Sequence, residues 1–224
     1  MDIFAYLPEL FSGISITILL MLMSIGIGLI LAITMTIGII YGNVVIQQFI
    51  KGIIFFIRGT PLLVQIFLIY YGSGQFEWIK DSWLWFVLSE PMTCAIIAFS
   101  ISTACYTSVI LQGAIHSVPR SEVDACDALG MSKWLAMRRV IFPRAFRIAL
   151  PAYSNEVLII LKATSLASTI TLLDVMGVTQ RIVSQTYNIV FWYLVAAVIY
   201  LVLNSIIIGM FKMIKMWSAI PSRG

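Results

Sequence analysis

Between Ile14 and Ile40 the chain carries no charged residue and no proline. A membrane-spanning helix needs about 20 mostly apolar residues, and this run is longer than that. Its apolar residues do not alternate with polar ones, as a barrel strand would require. In hydrocarbon only helices and closed barrels satisfy their own backbone, so the run reads as helix. Four further long apolar runs follow: Gly52 to Tyr71, with Arg58, Gly59 and Pro61 near its start, Met92 to Ile115, Leu150 to Leu173, which contains Glu156 and Lys162, and Ile189 to Phe211. The whole chain is 61% hydrophobic and 11% charged, where soluble domains are about a quarter charged. The expected fold class is an all-α integral membrane protein with five transmembrane helices, and residues 1–224 form one transmembrane domain.

The flanking charges orient these spans. With the N-terminus outside, the inner segments hold Lys51, Arg58, Arg120, Lys133, Arg138, Arg139, Arg144, Arg147, Lys212, Lys215 and Arg223. The outer segments hold only Lys80 and Arg181, and Lys162 lies within a span. Cytoplasmic loops carry the excess of Lys and Arg, so the N-terminus is expected outside and the C-terminus in the cytoplasm. The net charge of +4 follows from these membrane-flanking residues and does not argue for nucleic acid. Asp2 and Glu9 occupy the start without a positive n-region or a small-residue cleavage site, so no cleavable signal peptide is expected. Tryptophans 78, 83 and 85, in the outer stretch from Gln75 to Glu90, mark an interface belt.

One polar stretch stands out against this background, Ser121 to Gly130. Ser121 followed by Asp124 suggests a capping box, and Gly130 sits where a helix would end in a left-handed cap. Capping at both ends predicts a short rigid helix at the cytoplasmic surface, which reads either as a docking element or as a simple structured loop. After it, Ser132 is placed to cap a helix with Trp134, Met137 and Ile141 on one face and Arg138 and Arg139 off it. Pro143 and Pro151 bracket the lead-in to the fourth span. Cys94, Cys105 and Cys126 form no CxxC pair and read as small hydrophobes. The lone His116 reads as a helix-end residue. No G-x-x-x-x-G-K-[ST] occurs, so no ATP phosphates are cradled and no cofactor is expected in this chain.

Three segments resemble the polar amino acid ABC permeases. They are Arg58-Gly59-Thr60-Pro61-Leu62-Leu63-Val64-Gln65, the stretch from Val118 to Pro151, and Asn155-Glu156 followed by Lys162-Ala163-Thr164-Ser165-Leu166-Ala167. The middle stretch is similar to the family's cytoplasmic EAA loop, here about residues 117–147, with Asp124-Ala125-Cys126 for Glu-Ala-Ala and Gly130 at the family's spacing. Gln65 to Gly72, Ser89-Glu90-Pro91 and Tyr153 to Val157 look like the M subunit of arginine and histidine permeases. The chain departs from the family at Asp124, at Cys126, and at Ala163, where many relatives carry Asp.

The resemblance implies a type I ABC importer permease fold in the bacterial inner membrane, in lipid. It implies a second, Q-type permease subunit completing a heterodimeric pore, two cytoplasmic ATP-binding subunits, and a periplasmic amino acid-binding protein. It implies that Asp124, Ala125, Cys126, Leu129 and Gly130 couple to the ATPase. It places Glu156, Asn155, Thr60, Gln65 and Ser165 at the substrate. Arginine is the expected cargo, with histidine, lysine or glutamine as alternatives. An ion-coupled secondary transporter is disfavoured by the lack of an inverted repeat, and an intramembrane enzyme by the lack of a catalytic constellation.

The residues themselves add one argument. A charge at mid-bilayer costs about 2.5–3.5 kcal/mol, so Glu156 and Lys162 should face a cavity or a partner. Glu156 reads either as lining the substrate path, where it would attract a cation, or as part of a structural pair. For Lys162 the structural role is favoured, since a fixed cation repels arginine.

Overall fold

The computed structural model describes residues 3–217, with side chains from Tyr6 onward. Asp2 and Arg223, used above for charge and orientation, lie outside the described residues. Ten helices follow one another, and there is no strand among the described residues. They are α1 (Ile3–Tyr41), α2 (Val44–Gly59), α3 (Leu62–Gly72), α4 (Glu77–Lys80), α5 (Leu84–Leu88) and α6 (Pro91–His116). Then come α7 (Arg120–Ala128), α8 (Lys133–Ile170), α9 (Val175–Thr186) and α10 (Ile189–Trp217). Three helices, α1, α6 and α10, are long and apolar enough to cross a membrane, and there are up to five spans if α2–α3 and α8–α9 each count as one bent span.

The centre of the bundle is the contact of α1 with α6. Along α1 the buried residues Thr17, Leu20, Ser24, Ala32 and Thr36 recur every three or four positions, one face of a helix. Gly28 lies on the same stripe, and a Cβ there would sit 2.1 Å from Thr103 Cγ2 and 3.1 Å from the Ser100 carbonyl. Only glycine lets the two backbones approach this closely, as small residues do between membrane helices. Around this pair, Leu20, Ile66, Phe99 and Ile170 join α1, α3, α6 and the end of α8 in one apolar cluster. Met21, Val157, Ile160, Leu161 and Ile207 tie α1 and α8 to α10. Leu10, Val178, Ile182 and Trp192 do the same at the other end with α9.

Three expectations are corrected here. The second span is not one straight helix from Gly52 to Tyr71: α2 and α3 meet at a bend of 105°. Pro61 has no N–H to continue α2 and forces the residue before it out of helix, leaving Thr60 extended at φ −114°, ψ 144°. The fourth span is not preceded by a separate helix. From Lys133 to Ile170 the backbone stays helical through Pro143 and Pro151, with a wider π turn at Met137–Ile141 and a tighter 3-10 stretch at Thr164–Ile170. The π turn shifts the phase of the helix, and Arg138 joins Trp134 and Met137 on one cavity wall instead of lying off their face. Beyond Ile170 the chain bends by 49° into α9, a helix not expected from hydropathy. The stretch from Gln75 to Glu90 folds as α4 and α5, with Trp78 and Trp83 exposed.

Candidate functional site

The polar stretch near Asp124 folds as α7. Its N-terminal end differs from expectation: the helix starts at Arg120 with Pro119 before it, no side chain caps it, and Ser121 lies inside the first turn. Proline suits such a start because its missing N–H is an orphan there anyway. The C-terminal end is as expected. Gly130 has φ +67°, its N–H donates to Asp127 O at 3.0 Å, and Met131 N–H donates to Cys126 O at 3.0 Å. These two bonds form a Schellman motif, which satisfies carbonyls the helix end would leave bare. Rigidity at this helix therefore comes from one capped end.

A second attachment holds α7 on the bundle. Glu122 Oε1 lies 3.4 Å from Arg144 Nη2 on α8, and Val118 packs with Ala114, Ala145 and Ala149. Cys126 is buried, whereas Asp124, Ala125 and Leu129 are exposed, with Leu129 at 79%. The outward face thus presents an apolar knob beside a carboxylate, and the inward face is anchored to the helix that continues into the membrane.

The other expected site residues gather around the break between α2 and α3. Gln65 is buried, and its Nε2 donates to the Ile57 carbonyl at 2.8 Å and lies 3.1 and 2.9 Å from Thr60 O and Oγ1. The Thr60 hydroxyl in turn donates to Phe56 O at 3.0 Å. A helix that stops inside lipid leaves carbonyls without partners, and this pair of side chains supplies them. Thr60 and Gln65 therefore touch each other and close the corner. Beside them the Arg58 guanidinium stands 5.0 Å from the centroid of the Tyr106 ring on α6.

Glu156 is 5% exposed and points from α8 toward α6, with the Thr103 hydroxyl as its partner and the Arg58 charge nearby. Asn155 and Lys162, seven residues apart and so on one helical face about 100° round from Glu156, are exposed together with Ile159. Lys162 on an exposed intramembrane face is costly in lipid, so this face requires a cavity or another subunit. Ser165 is half-buried, and its hydroxyl donates to Lys162 O at 2.7 Å. Thr164, Ser168 and Thr169 donate to the carbonyls three residues back in the same way, at 2.6–2.8 Å. These bonds follow the 3-10 pitch of the segment and satisfy its hydroxyls inside the membrane.

One polar centre was missed by sequence reasoning. Asp174, fully buried, caps α9 by accepting from Gly177 N at 2.9 Å and Met176 N at 3.2 Å, and Tyr200 Oη donates to it at 3.1 Å. Thr17 Oγ1 accepts from Val175 N at 3.1 Å, so the same corner is stitched to α1. The signal was present: an Asp three residues before Gly177 in an apolar stretch is an N-cap pattern.

Broken spans held by buried polar side chains, an exposed polar helix face and an anchored surface helix define a multi-pass membrane protein. The chain belongs to the binding-protein-dependent transport system inner membrane component family, whose pattern matches residues 24–216. It is 46% identical over 176 residues to the nopaline transport system permease protein NocM of Agrobacterium fabrum, covering 78% of this chain and 73% of that protein. It is 43% identical over 214 residues to the arginine ABC transporter permease protein ArtM of Escherichia coli strain K12, covering 95% and 96%. A crystal structure of an amino acid ABC transporter with histidines superposes at TM-score 0.86, with 28% identity, 96% of this chain and 98% of that one. The MetNI methionine ABC transporter shares the fold at TM-score 0.78 and 14% identity, over 98% of this chain and 100% of that one. The chain is a permease subunit of an amino acid ABC importer of the inner membrane, and the family implies a second permease, ATPase subunits and a binding protein as its partners.

Proposed function

We propose that this subunit carries a basic amino acid, arginine, as one half of a heterodimeric pore, with its N-terminus outside and its C-terminus in the cytoplasm. The observation that carries the reading is the likeness to an arginine permease subunit along nearly the whole chain. The relatives named for nopaline and octopine support it, because nopaline, octopine and arginine each contain a guanidinium group. In this reading α7 docks on the ATPase through Asp124, Ala125, Leu129 and the Gly130 cap, with Cys126 as its inward anchor. Asn155, Lys162 and Ser165 face the second permease and the path between the two subunits. Thr60 and Gln65 shape the corner of that path. Glu156, one helical step behind the face, supplies the negative field that favours a cation; direct contact with cargo requires its side chain to leave Thr103.

The test is uptake of arginine and glutamine by the assembled importer carrying Glu156→Gln. The variant keeps shape and removes charge. An interaction with a charged group is worth about 1.5–3 kcal/mol, so arginine affinity should fall about ten- to a hundredfold while basal ATP hydrolysis and assembly persist. Equal loss for arginine and glutamine would mean that Glu156 reads the α-amino group both share or acts structurally. No loss would remove it from the path.

A further inference from the structure

A cavity of about 580 Å³ opens between the last third of α1, the end of α6 and the first half of α8. Its walls include Leu29, Ile33, Ile37, Leu111, Phe142 and Leu150, and nearly all the remaining lining is apolar. The Thr36 hydroxyl on this wall is already spent on Ala32 O at 2.7 Å. Water has too few polar partners to occupy such a space, and left empty it would forfeit the contacts of its whole lining. Its volume falls within the range of ordinary ligand sites.

Three features single out one occupant. The wall runs along α1 from Leu29 to Tyr41, roughly 18 Å at about 1.5 Å per residue, close to the ~15 Å hydrocarbon depth of one leaflet. One end is marked by Tyr41 and Trp134, both exposed, the aromatic signature of a headgroup boundary. At that same end stands Arg138, which has no ion-pair or hydrogen-bond partner among the described residues. Lys133, Arg139 and Arg147 lie nearby in sequence and are exposed. The acidic residues of this region do not pair with it: Glu122 faces Arg144, and Asp124 and Asp127, exposed on α7, make no ion pair among the described residues.

We propose that this groove is a phospholipid site, holding one acyl chain along α1 and α8 with an anionic headgroup phosphate at Arg138. The lipid wedges the first half of α8 against α1, alongside the Glu122–Arg144 attachment of α7. A neutral chain alone would fill the walls but leave Arg138 unanswered. A helix from another subunit would fill them without needing a cation at the mouth.

The test uses the chain purified with its native partner subunits in nanodiscs. Two photoactivatable lipids carry the same diazirine acyl chain, one on phosphatidylglycerol and one on phosphatidylcholine. Phosphatidylglycerol should crosslink to peptides covering residues 29–41 and 142–153. Ile37→Trp fills the groove and should abolish these crosslinks; Ile33→Trp serves if the first variant does not co-purify with its partners. Arg138→Gln should reduce the preference for phosphatidylglycerol about fivefold, the value of one basic residue at an anionic surface. Crosslinks that survive the filled groove would overturn the site. Crosslinks seen in the isolated subunit but not in the assembled complex would assign the groove to a protein partner instead. An unchanged headgroup preference in Arg138→Gln would overturn the role of the cation.

Discussion

Gly130 offers the cleanest perturbation of coupling, because its effect is confined to the backbone. A Cβ at this position meets nothing within 4 Å, so a larger side chain creates no clash. What it does create is a left-handed residue with a side chain at φ +67°. That conformation costs about 1–2 kcal/mol for an ordinary L-residue, more with a β-branched one and less with Asn. The penalty opposes the two bonds of the cap, from Gly130 N and Met131 N. A shift of 1–2 kcal/mol changes the closed-to-open ratio of the helix end about 5- to 30-fold. The series Asn, Ala, Val at position 130 should therefore lower the hydrogen-exchange protection of amides 130 and 131 in that order, by up to about thirtyfold. Import by reconstituted transporter should fall in the same order, with membrane insertion intact. Normal import by Gly130→Val would refute the docking role of α7. Lost import with unchanged amide protection would show that the loss does not pass through the cap.

Other consequences follow from neighbouring geometry. Gln65→Leu leaves the Ile57 and Thr60 carbonyls without their donor, which should cost about 1–3 kcal/mol and appear as a lower unfolding midpoint in detergent. Asp174→Ala removes the cap of α9, at a cost of at least about 1 kcal/mol, and takes the carboxylate partner from the Tyr200 hydroxyl; Tyr200→Phe should then cost less on top of it than alone, as a double-mutant cycle would show. Orientation is checked with cysteines at Gln75 and Lys133, both exposed, against buried native cysteines. An impermeant thiol reagent added outside should label position 75 and not 133.

The long apolar runs announced α1, α6 and α10 because nothing inside them competes with burial in lipid. Gly130 was legible for a related reason: a left-handed cap has few residue types to choose from. The α7 start was misread because Ser-x-x-Asp is a local signal, and Pro119 ended the preceding segment two residues earlier. Breaks within spans were the hardest to read. Hydropathy averages over Thr60-Pro61 and over Thr171 to Asp174, yet both corners are held by single side chains, Gln65 and Asp174, whose partners lie on other turns or other helices. The residues expected at the substrate were recognised as a group, but their directions were not. A shift of one residue, 100° around α8, separates buried Glu156 from exposed Asn155.

The Asp174 corner also bears on how the chain is made. Synthesis delivers Thr17 first, so the backbone of Val175 finds its acceptor already in the bilayer. The hydroxyl that completes the carboxylate's shell arrives 26 residues later, on Tyr200. Until α10 enters, the bend between α8 and α9 holds a carboxylate lacking one of its partners, which favours keeping that bend near the water interface. The last helix is thus the latch of biogenesis. A chain that ends before Tyr200 therefore lacks one hydrogen bond of its Asp174 corner.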